Sequence, residues 1–290
     1  MKYIFLLNQF SLKTELTPLK KKIEKVCNKR KIDYIIEINS IDISTEDILK
    51  KYKKTRNIII AVGGDGTINR VLNGIANTNN ILGYIPFGTG NDFYHTNKEL
   101  LDKGTHTIDL VKINDKYFIN VACFGIDSEI GNSEEIVHSN LIPKKYRYKL
   151  SLLSNFLKYK ARYFEVEVNN KLYKEYFTTI AVCNARYYGG GYKVSPNSSL
   201  TDGKLEVILA FKTNKYNMVK MITSMKNALH LYYPQIKVIQ TDKIIIKSPT
   251  EITCNIDGEK LTSNNFKINI IKNGLQIYYD QDLIDDILNK

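Results

Sequence analysis

The run Gly63-Gly64-Asp65-Gly66-Thr67 sets three glycines beside a carboxylate and a hydroxyl. Consecutive glycines let neighbouring N–H groups turn toward one point, and a helix starting there adds its positive end. That geometry holds phosphate. Thr67 reads as the helix N-cap, with a hydroxyl that also faces the ligand. Asp65 is the odd member, because phosphate repels a carboxylate unless a cation or a donor intervenes. It predicts Mg²⁺, a water shell or a ribose hydroxyl. A glycine turn with Asp65 on the surface is the plainer alternative. A second loop, Gly88-Thr89-Gly90-Asn91-Asp92-Phe93, again joins glycines to a hydroxyl and short polar side chains. Asn91 suits a base, ribose or phosphate, and Asp92 suits the same or a cap. Neither loop is GxGxxG or GxxxxGK[ST], so the common dinucleotide and Walker A fingerprints are absent.

Further along, Asp257-Gly258-Glu259 places two carboxylates around a tight turn. A hydroxyl attacking the γ-phosphate of ATP needs an oriented acceptor for its proton, and a carboxylate meets that need. An Asp-Gly hairpin with solvated charges is the alternative. The loop Ser199-Leu200-Thr201-Asp202-Gly203-Lys204 offers Asp202 and backbone carbonyls to a hard cation, or is an ordinary turn. Asp109 interrupts the apolar run Ile108–Leu110 and needs a partner if buried. It closes a polar network behind a metal site, or pairs with a lysine or a backbone N–H.

Both glycine loops follow short apolar runs, 57–62 and 81–85, which read as strands covered on both faces. Residues 2–7 and 32–38 read as further strands, and 15–30, 45–54 and 67–76 carry helical spacing. Strand–helix alternation argues for an open α/β sheet, whose ligands bind at the carboxyl edge where both loops would lie. Residues 93–105 receive no element. Beyond them come alternating runs at 106–112, 116–124, 161–168, 173–183, 204–211, 235–240, 242–247, 250–256, 265–270 and 274–279. They predict an all-β unit, a sandwich, interrupted by helices near 134–159 and 214–229. The expected organisation is therefore an α/β + β chain. Residues 1–110 form an α/β nucleotide-binding domain and 111–279 a β-sandwich. Residues 280–290 form a helix packing back on the first domain.

Composition limits the function classes. The chain has 290 residues, 42 Lys and Arg against 30 Asp and Glu, and a net charge of +12. An even positive field suits phosphorylated ligands, an anionic membrane surface or nucleic acid. Arginine is scarce among the basic residues, which disfavours nucleic acid, since base and phosphate readers lean on arginine forks. Cys27, Cys123, Cys183 and Cys254 form no CxxC and read as buried free thiols in a reducing cytosol. The scattered histidines make no zinc constellation. The apolar start, residues 1–10, lacks a cleavage-site pattern and reads as a first strand. No run reaches membrane-spanning length, so any bilayer contact is peripheral. Residues 141–163 surround an apolar helical stripe with Lys144, Lys145, Arg147, Lys149, Lys158 and Lys160. Such a helix packs on a sandwich, or faces lipid, or does both.

GGDGT at 63–67, GTGNDF at 88–93 and DGE at 257–259 together resemble the diacylglycerol kinase catalytic-domain family, which includes sphingosine and ceramide kinases. The resemblance covers nearly the whole chain and is strongest to the small bacterial lipid kinases. GGDGT alone is shared with NAD kinases. The resemblance implies a NAD-kinase/diacylglycerol-kinase-like fold with its cleft between an N-terminal α/β domain and a C-terminal β-sandwich. It implies that Gly63, Gly64, Asp65, Gly66, Thr67, Gly88, Thr89 and Asn91 face ATP, with Asn8 and Ser11 contributing from the first loop. Asp65, Asp92 and Asp109 would join a Mg²⁺–water network. Asp257 would be the general base and Glu259 its acidic partner. A structural Mg²⁺ would sit at Ser199, Asp202 and Lys204. The first loop, Asn8-Gln9-Phe10-Ser11-Leu12, departs from the family's Asn-Pro-x-Ser/Ala-Gly, and Tyr94-His95 replaces the usual Ala-Arg.

The implied activity is ATP-dependent transfer to a lipid hydroxyl, with diacylglycerol the simplest acceptor. The alternatives are a kinase for another lipid or for NAD, or a catalytically degenerate nucleotide- or lipid-binding regulator. A lipid alcohol and an anionic membrane surface are the expected partners, in the cytoplasm. A homodimer stays open.

Overall fold

The computed structural model describes residues 1–88, 90–125 and 158–288. Thr89, and the helix expected near 134–159 with most of the basic stretch at 141–163, lie outside the described residues. The first domain runs β1 (Tyr3–Asn8), α1 (Gln9–Leu12), α2 (Leu16–Arg30), β2 (Tyr34–Asn39), α3 (Thr45–Lys50), β3 (Ile58–Gly63), α4 (Asp65–Ile75), β4 (Ile81–Pro86) and α5 (Asp92–Leu100). The strands pair in parallel in the order β2-β1-β3-β4. Every residue of β3 and β4 is buried. Helices must therefore cover both faces, which is why these strands are unbroken apolar runs.

The second unit contains β5 (Gly104–Ile113), β6 (Lys116–Phe118), β7 (Val121–Gly125), β8 (Arg162–Val168), β9 (Lys171–Cys183), β10 (Tyr187–Tyr188), β11 (Tyr192–Lys193), β12 (Leu205–Phe211), α6 (Lys215–Ser224), β13 (Ile236–Thr241), β14 (Lys243–Ile256) and β15 (Glu259–Tyr279). Its core is built from inward residues of these strands, among them Phe124, Phe164, Phe177 and Phe266. Two expected pairs of strands are each one long strand. The runs at 242–247 and 250–256 are both in β14, which has a register irregularity between Lys247 and Ile252. Those at 265–270 and 274–279 are both in β15, which shifts register against β5 between Ile271 and Leu275.

The two units share strands. Leu110 packs in the first core, whereas Val111 packs in the second. On β15, Ile268 belongs to the second core, whereas Leu275, Ile277 and Tyr279 belong to the first. The C-terminal end of β15 pairs in parallel with β4 through Ile277–Leu82 and Tyr278–Gly83. In packing terms the all-β run thus ends before residue 279, and the chain returns to the first sheet. Helix α7 (Gln281–Leu288) then buries Leu283, Ile284 and Ile287 in the first core.

Candidate functional site

Asn8 closes β1 and caps α1 by accepting from the Phe10 N–H at 3.0 Å. Its amide donates to Thr67 Oγ1 at 3.3 Å, and Ser11 Oγ donates to the Asn8 carbonyl at 3.2 Å. Thr67 is therefore not the N-cap. Helix α4 begins two residues earlier, its cap is Gly64, and the buried Thr67 hydroxyl ties the helix to β1. A glycine cap brings no side-chain acceptor, so the positive end of the helix stays open to a ligand. Gly63 is glycine for packing: a Cβ there would meet Thr67 Oγ1 at 2.5 Å.

The second loop lies on the first. A Cβ on Gly88 would come within 2.7 Å of Gly64 Cα. Asn91 takes a left-handed conformation and donates to the Gly88 carbonyl at 2.9 Å, while its buried Oδ1 meets no partner. Asp65 accepts from the N–H groups of Asp92 and Phe93, each at 3.2 Å, at the start of α5. Burial pushes the Asp65 carboxyl up, and the neighbouring Asp92 pushes it further.

The Asp92 carboxylate is held in turn by a third glycine loop. Gly190 and Gly191 donate their N–H groups to Asp92 Oδ1 at 3.0 and 2.7 Å. Gly189, Gly190 and Gly191 all have φ between 74° and 92°. This loop between β10 and β11 went unnoticed in the sequence. Three successive glycines were the available signal, since only a left-handed backbone requires them.

Asp257 and Gly258 form the two-residue turn joining β14 to β15, with φ of 49° and 89°. Both being positive, the Asp-Gly pair is what such a hairpin demands. The turn sits on the start of α4: a Cβ on Gly258 would be 3.2 Å from Gly66 N. The Asp257 carboxylate is 4% exposed and accepts from Ile119 N at 2.8 Å, Asn120 N at 3.1 Å and Val121 N at 2.8 Å. Burial pushes it up to about 7, against the lowering effect of these amides, and Asp65 adds to the rise. Glu259 faces Gly66 and pairs with Arg70 at 2.8 Å. Arg70 was also missed, although it lies one helical turn beyond Gly66 and must share its face.

Asp109 is placed elsewhere. Its carboxylate accepts from Gly203 N at 2.7 Å and Asn273 N at 2.9 Å, so it anchors the second acidic loop rather than joining Asp65 and Asp92. In that loop Asp202 accepts from Lys204 N at 3.0 Å and Ser199 Oγ from Thr201 N at 3.4 Å. The end of the Lys272 side chain lies over Gly203. Among the described residues no three His, Cys, Asp or Glu side chains gather as a metal cluster. The Asp65–Asp92 pair does fit a hard cation. It supplies carboxylate oxygens, and a cation would offset both the burial and the Asp92 repulsion that raise Asp65.

Beside these loops a cleft of about 1000 Å³ opens between the units, lined by Phe10, Ser40, Asn69, Arg70, Tyr117 and Glu259 among others. Arg70 and Glu259 belong both to this cleft and to the α4 start.

Glycine loops at a parallel sheet edge, met by an acidic turn from a β-sandwich, define a two-domain α/β + β architecture. The diacylglycerol kinase catalytic domain matches residues 2–113, and the YegS C-terminal NAD kinase beta sandwich-like domain matches residues 120–279. A diacylglycerol kinase of Bacillus subtilis is 30% identical over 222 residues, covering 70% of this chain and 71% of that one. One of Staphylococcus haemolyticus is 29% identical over 260 residues, covering 84% and 78%. A crystal structure of a diacylglycerol kinase from Bacillus anthracis superposes with a TM-score of 0.67 at 19% identity, over 97% of this chain and 98% of that one. The chain belongs to the diacylglycerol kinase catalytic-domain family.

Proposed function

We propose that this chain transfers the γ-phosphoryl group of ATP to the hydroxyl of a lipid alcohol, with diacylglycerol as acceptor and phosphatidic acid and ADP as products. Family membership supports the reaction class. The observation that carries the residue assignment is the contact of the Asp257–Gly258 turn with Gly66 at the start of α4. It supports a shared site because it sets the turn that carries Asp257 against the start of α4.

ATP occupies the interdomain cleft, its phosphates toward Gly64–Gly66 and Gly88. The exposed Phe10 ring lies at the cleft wall and suits stacking on the base. Asp65 and Asp92 would hold Mg²⁺, which when bound offsets phosphate charge. Asp257 accepts the proton as the lipid oxygen bonds to the γ-phosphorus and the bond to the β-phosphate oxygen breaks. Three backbone amides hold the carboxylate, Asn120 N reaching both oxygens at 3.1 and 3.2 Å, so taking up the proton must loosen one of these bonds. A carboxyl raised to about 7 is poised for transfer near neutrality. Glu259, paired with Arg70, fixes the turn against α4.

The substrate meets the enzyme at a membrane, so contact with lipid is peripheral. Among the described residues no helix is long and apolar enough to cross one. Radiolabelled ATP offered with a panel of lipid alcohols, with NAD as control, tests the proposal. Label should pass to diacylglycerol. Label passing to NAD alone, or to nothing, refutes it.

A further inference from the structure

Helix α6 buries one side and leaves the other bare. Met218 and Met221 pack with Tyr159, Tyr233 and Ile236. Tyr216, Val219 and Ile222, three residues apart, are 66%, 47% and 39% exposed. The turns that follow add Leu229 and Tyr232, 52% and 84% exposed. Five large apolar or aromatic side chains in water within 17 residues are more than scattered surface hydrophobics explain.

The charge around them has one sign. From Val207 to Thr241 there is no Asp or Glu, while Lys212, Lys215, Lys220, Lys226 and Lys237 all fall in that stretch. Four of these lysines lie over tyrosine rings. Lys220 is 4.4 Å from the Tyr216 centroid, Lys237 5.0 Å from Tyr173, and Lys212 and Lys215 5.5 Å from Tyr176 and Tyr159. Among the described residues, the neighbouring Glu206 is buried and takes a hydrogen bond from Ser195, Glu165 pairs with Lys174, and Glu175 is exposed on β9 beside Lys174. Tyrosines with an apolar body and a polar tip, beside lysines on long stems, suit the boundary between headgroups and acyl chains.

A series of contacts also joins this surface to the candidate site. Lys215 donates to the Tyr159 carbonyl, and Tyr159 Oη donates to the Thr178 carbonyl at 2.8 Å. A Cβ on Gly125, the last residue of β7, would be 3.0 Å from Tyr159 Oη. The first residue of β7, Val121, is one of the Asp257 anchors. One short strand, spanning roughly 13 Å at strand rise, separates the two.

We propose that α6 and the turns after it, through Tyr216, Val219, Ile222, Leu229 and Tyr232 ringed by lysines, dock this chain on an anionic lipid bilayer. The proposal rests on the lipid-acceptor reading, because a diacylglycerol substrate stays in the bilayer and the enzyme must come to it. The occupant is a bilayer rather than a protein because the helix and its turns, from Val207 to Thr241, carry lysines and no acid, and their apolar tips are spread along a convex helix.

Co-sedimentation of the full chain with vesicles tests this. Vesicles of phosphatidylcholine with phosphatidylglycerol should carry the protein down, and phosphatidylcholine alone should do so far less. Val219→Glu with Ile222→Glu should reduce partitioning by about tenfold or more. Because both positions are exposed, circular dichroism and the melting temperature should stay as in the parent. Phosphorylation of a short-chain, water-soluble diacylglycerol should also be unchanged, so failure of that assay in the parent protein would refute the kinase reading and leave the vesicle result standing. Equal partitioning to both vesicle types, or full partitioning by the double variant, overturns the docking proposal. So does a dimer in sedimentation velocity that the double variant abolishes, which would make a second copy the occupant.

Discussion

Asp257 carries two duties that pull in opposite directions. Its carboxylate ties the 119–121 backbone to the β14–β15 turn, and the same group is the proposed proton acceptor. Its carboxyl is raised from 3.8 to about 7, and the sign of that shift separates the duties. A protonated carboxyl cannot accept the lipid proton, so kcat/KM should fall as pH drops through about 7 and level off above it. Stability should do the reverse. Between 3.8 and about 7 the folded chain holds a proton that the unfolded chain has released, so this group lowers stability as pH rises across that window. A pH–rate profile and urea unfolding at several pH values would record both trends, and parallel trends would contradict the assignment. Asp257→Asn should lower kcat by about 10²–10⁴-fold while nucleotide affinity persists, as read by calorimetric titration. Gly88→Ala should act on the nucleotide side instead. Its methyl group would come within 2.7 Å of backbone at Gly64, which cannot swing aside as a side chain could. The loops must then part, so ATP affinity should weaken while turnover at saturation changes little.

At the scale of elements, strands betrayed themselves more readily than the loops that matter for chemistry. The buried strands β1, β3 and β4 were legible because a sheet covered on both faces demands unbroken apolar runs, and GGDGT was legible because a glycine cluster follows one of them. Helix α5 was not. Its sequence mixes Thr, Asn and His, modest helix formers, and Phe93, Tyr94, Thr96 and Asn97 are all buried, which blurs any single apolar stripe. Its position is set by tertiary contacts: Asp65 takes its first amides, and Asn97 donates to the Tyr84 hydroxyl at 2.9 Å. The anchors of Asp257 were invisible for a related reason, since they are backbone amides 136–138 residues away and carry no side-chain signature. The role of helix α7 can be tested directly. Ile287 is fully buried in the first core, so Ile287→Ala should cost about 2–5 kcal/mol in urea unfolding. Because α7 is remote in sequence from the glycine loops and touches α2, the folded variant should keep parental ATP affinity.

For the whole molecule, chain order and packing order differ, and this has a consequence for cooperativity. The first sheet is complete only when the end of β15 lies beside β4 and α7 has closed over it. Strand β5 serves both cores, and the antiparallel β5–β15 ladder runs through the junction from Ile113–Ile268 to Gly104–Tyr279. A pair of domains joined by one linker could unfold separately, but here neither core can open without stripping strands from the other. A fragment ending at residue 113 would retain β1 to β5 and all the glycines of the first two loops. It would lack Leu275, Ile277, Tyr279, Leu283, Ile284 and Ile287, each buried in the first core. At about 1.5–3 kcal/mol for each large apolar side chain withheld from water, that loss is as large as the net stability of an ordinary domain. The fragment should therefore show little cooperative unfolding by circular dichroism and no measurable ATP affinity. Adding residues 259–288 as a separate peptide should restore some of both, since it supplies the missing strand and helix. The intact chain should melt in one calorimetric transition, with van't Hoff and calorimetric enthalpies agreeing. Two resolved transitions, or a stable 1–113 fragment, would mean that the shared strands do not couple the cores, and that local contacts such as Gly258 on Gly66 and Glu259 on Arg70 must hold the turn against α4 instead.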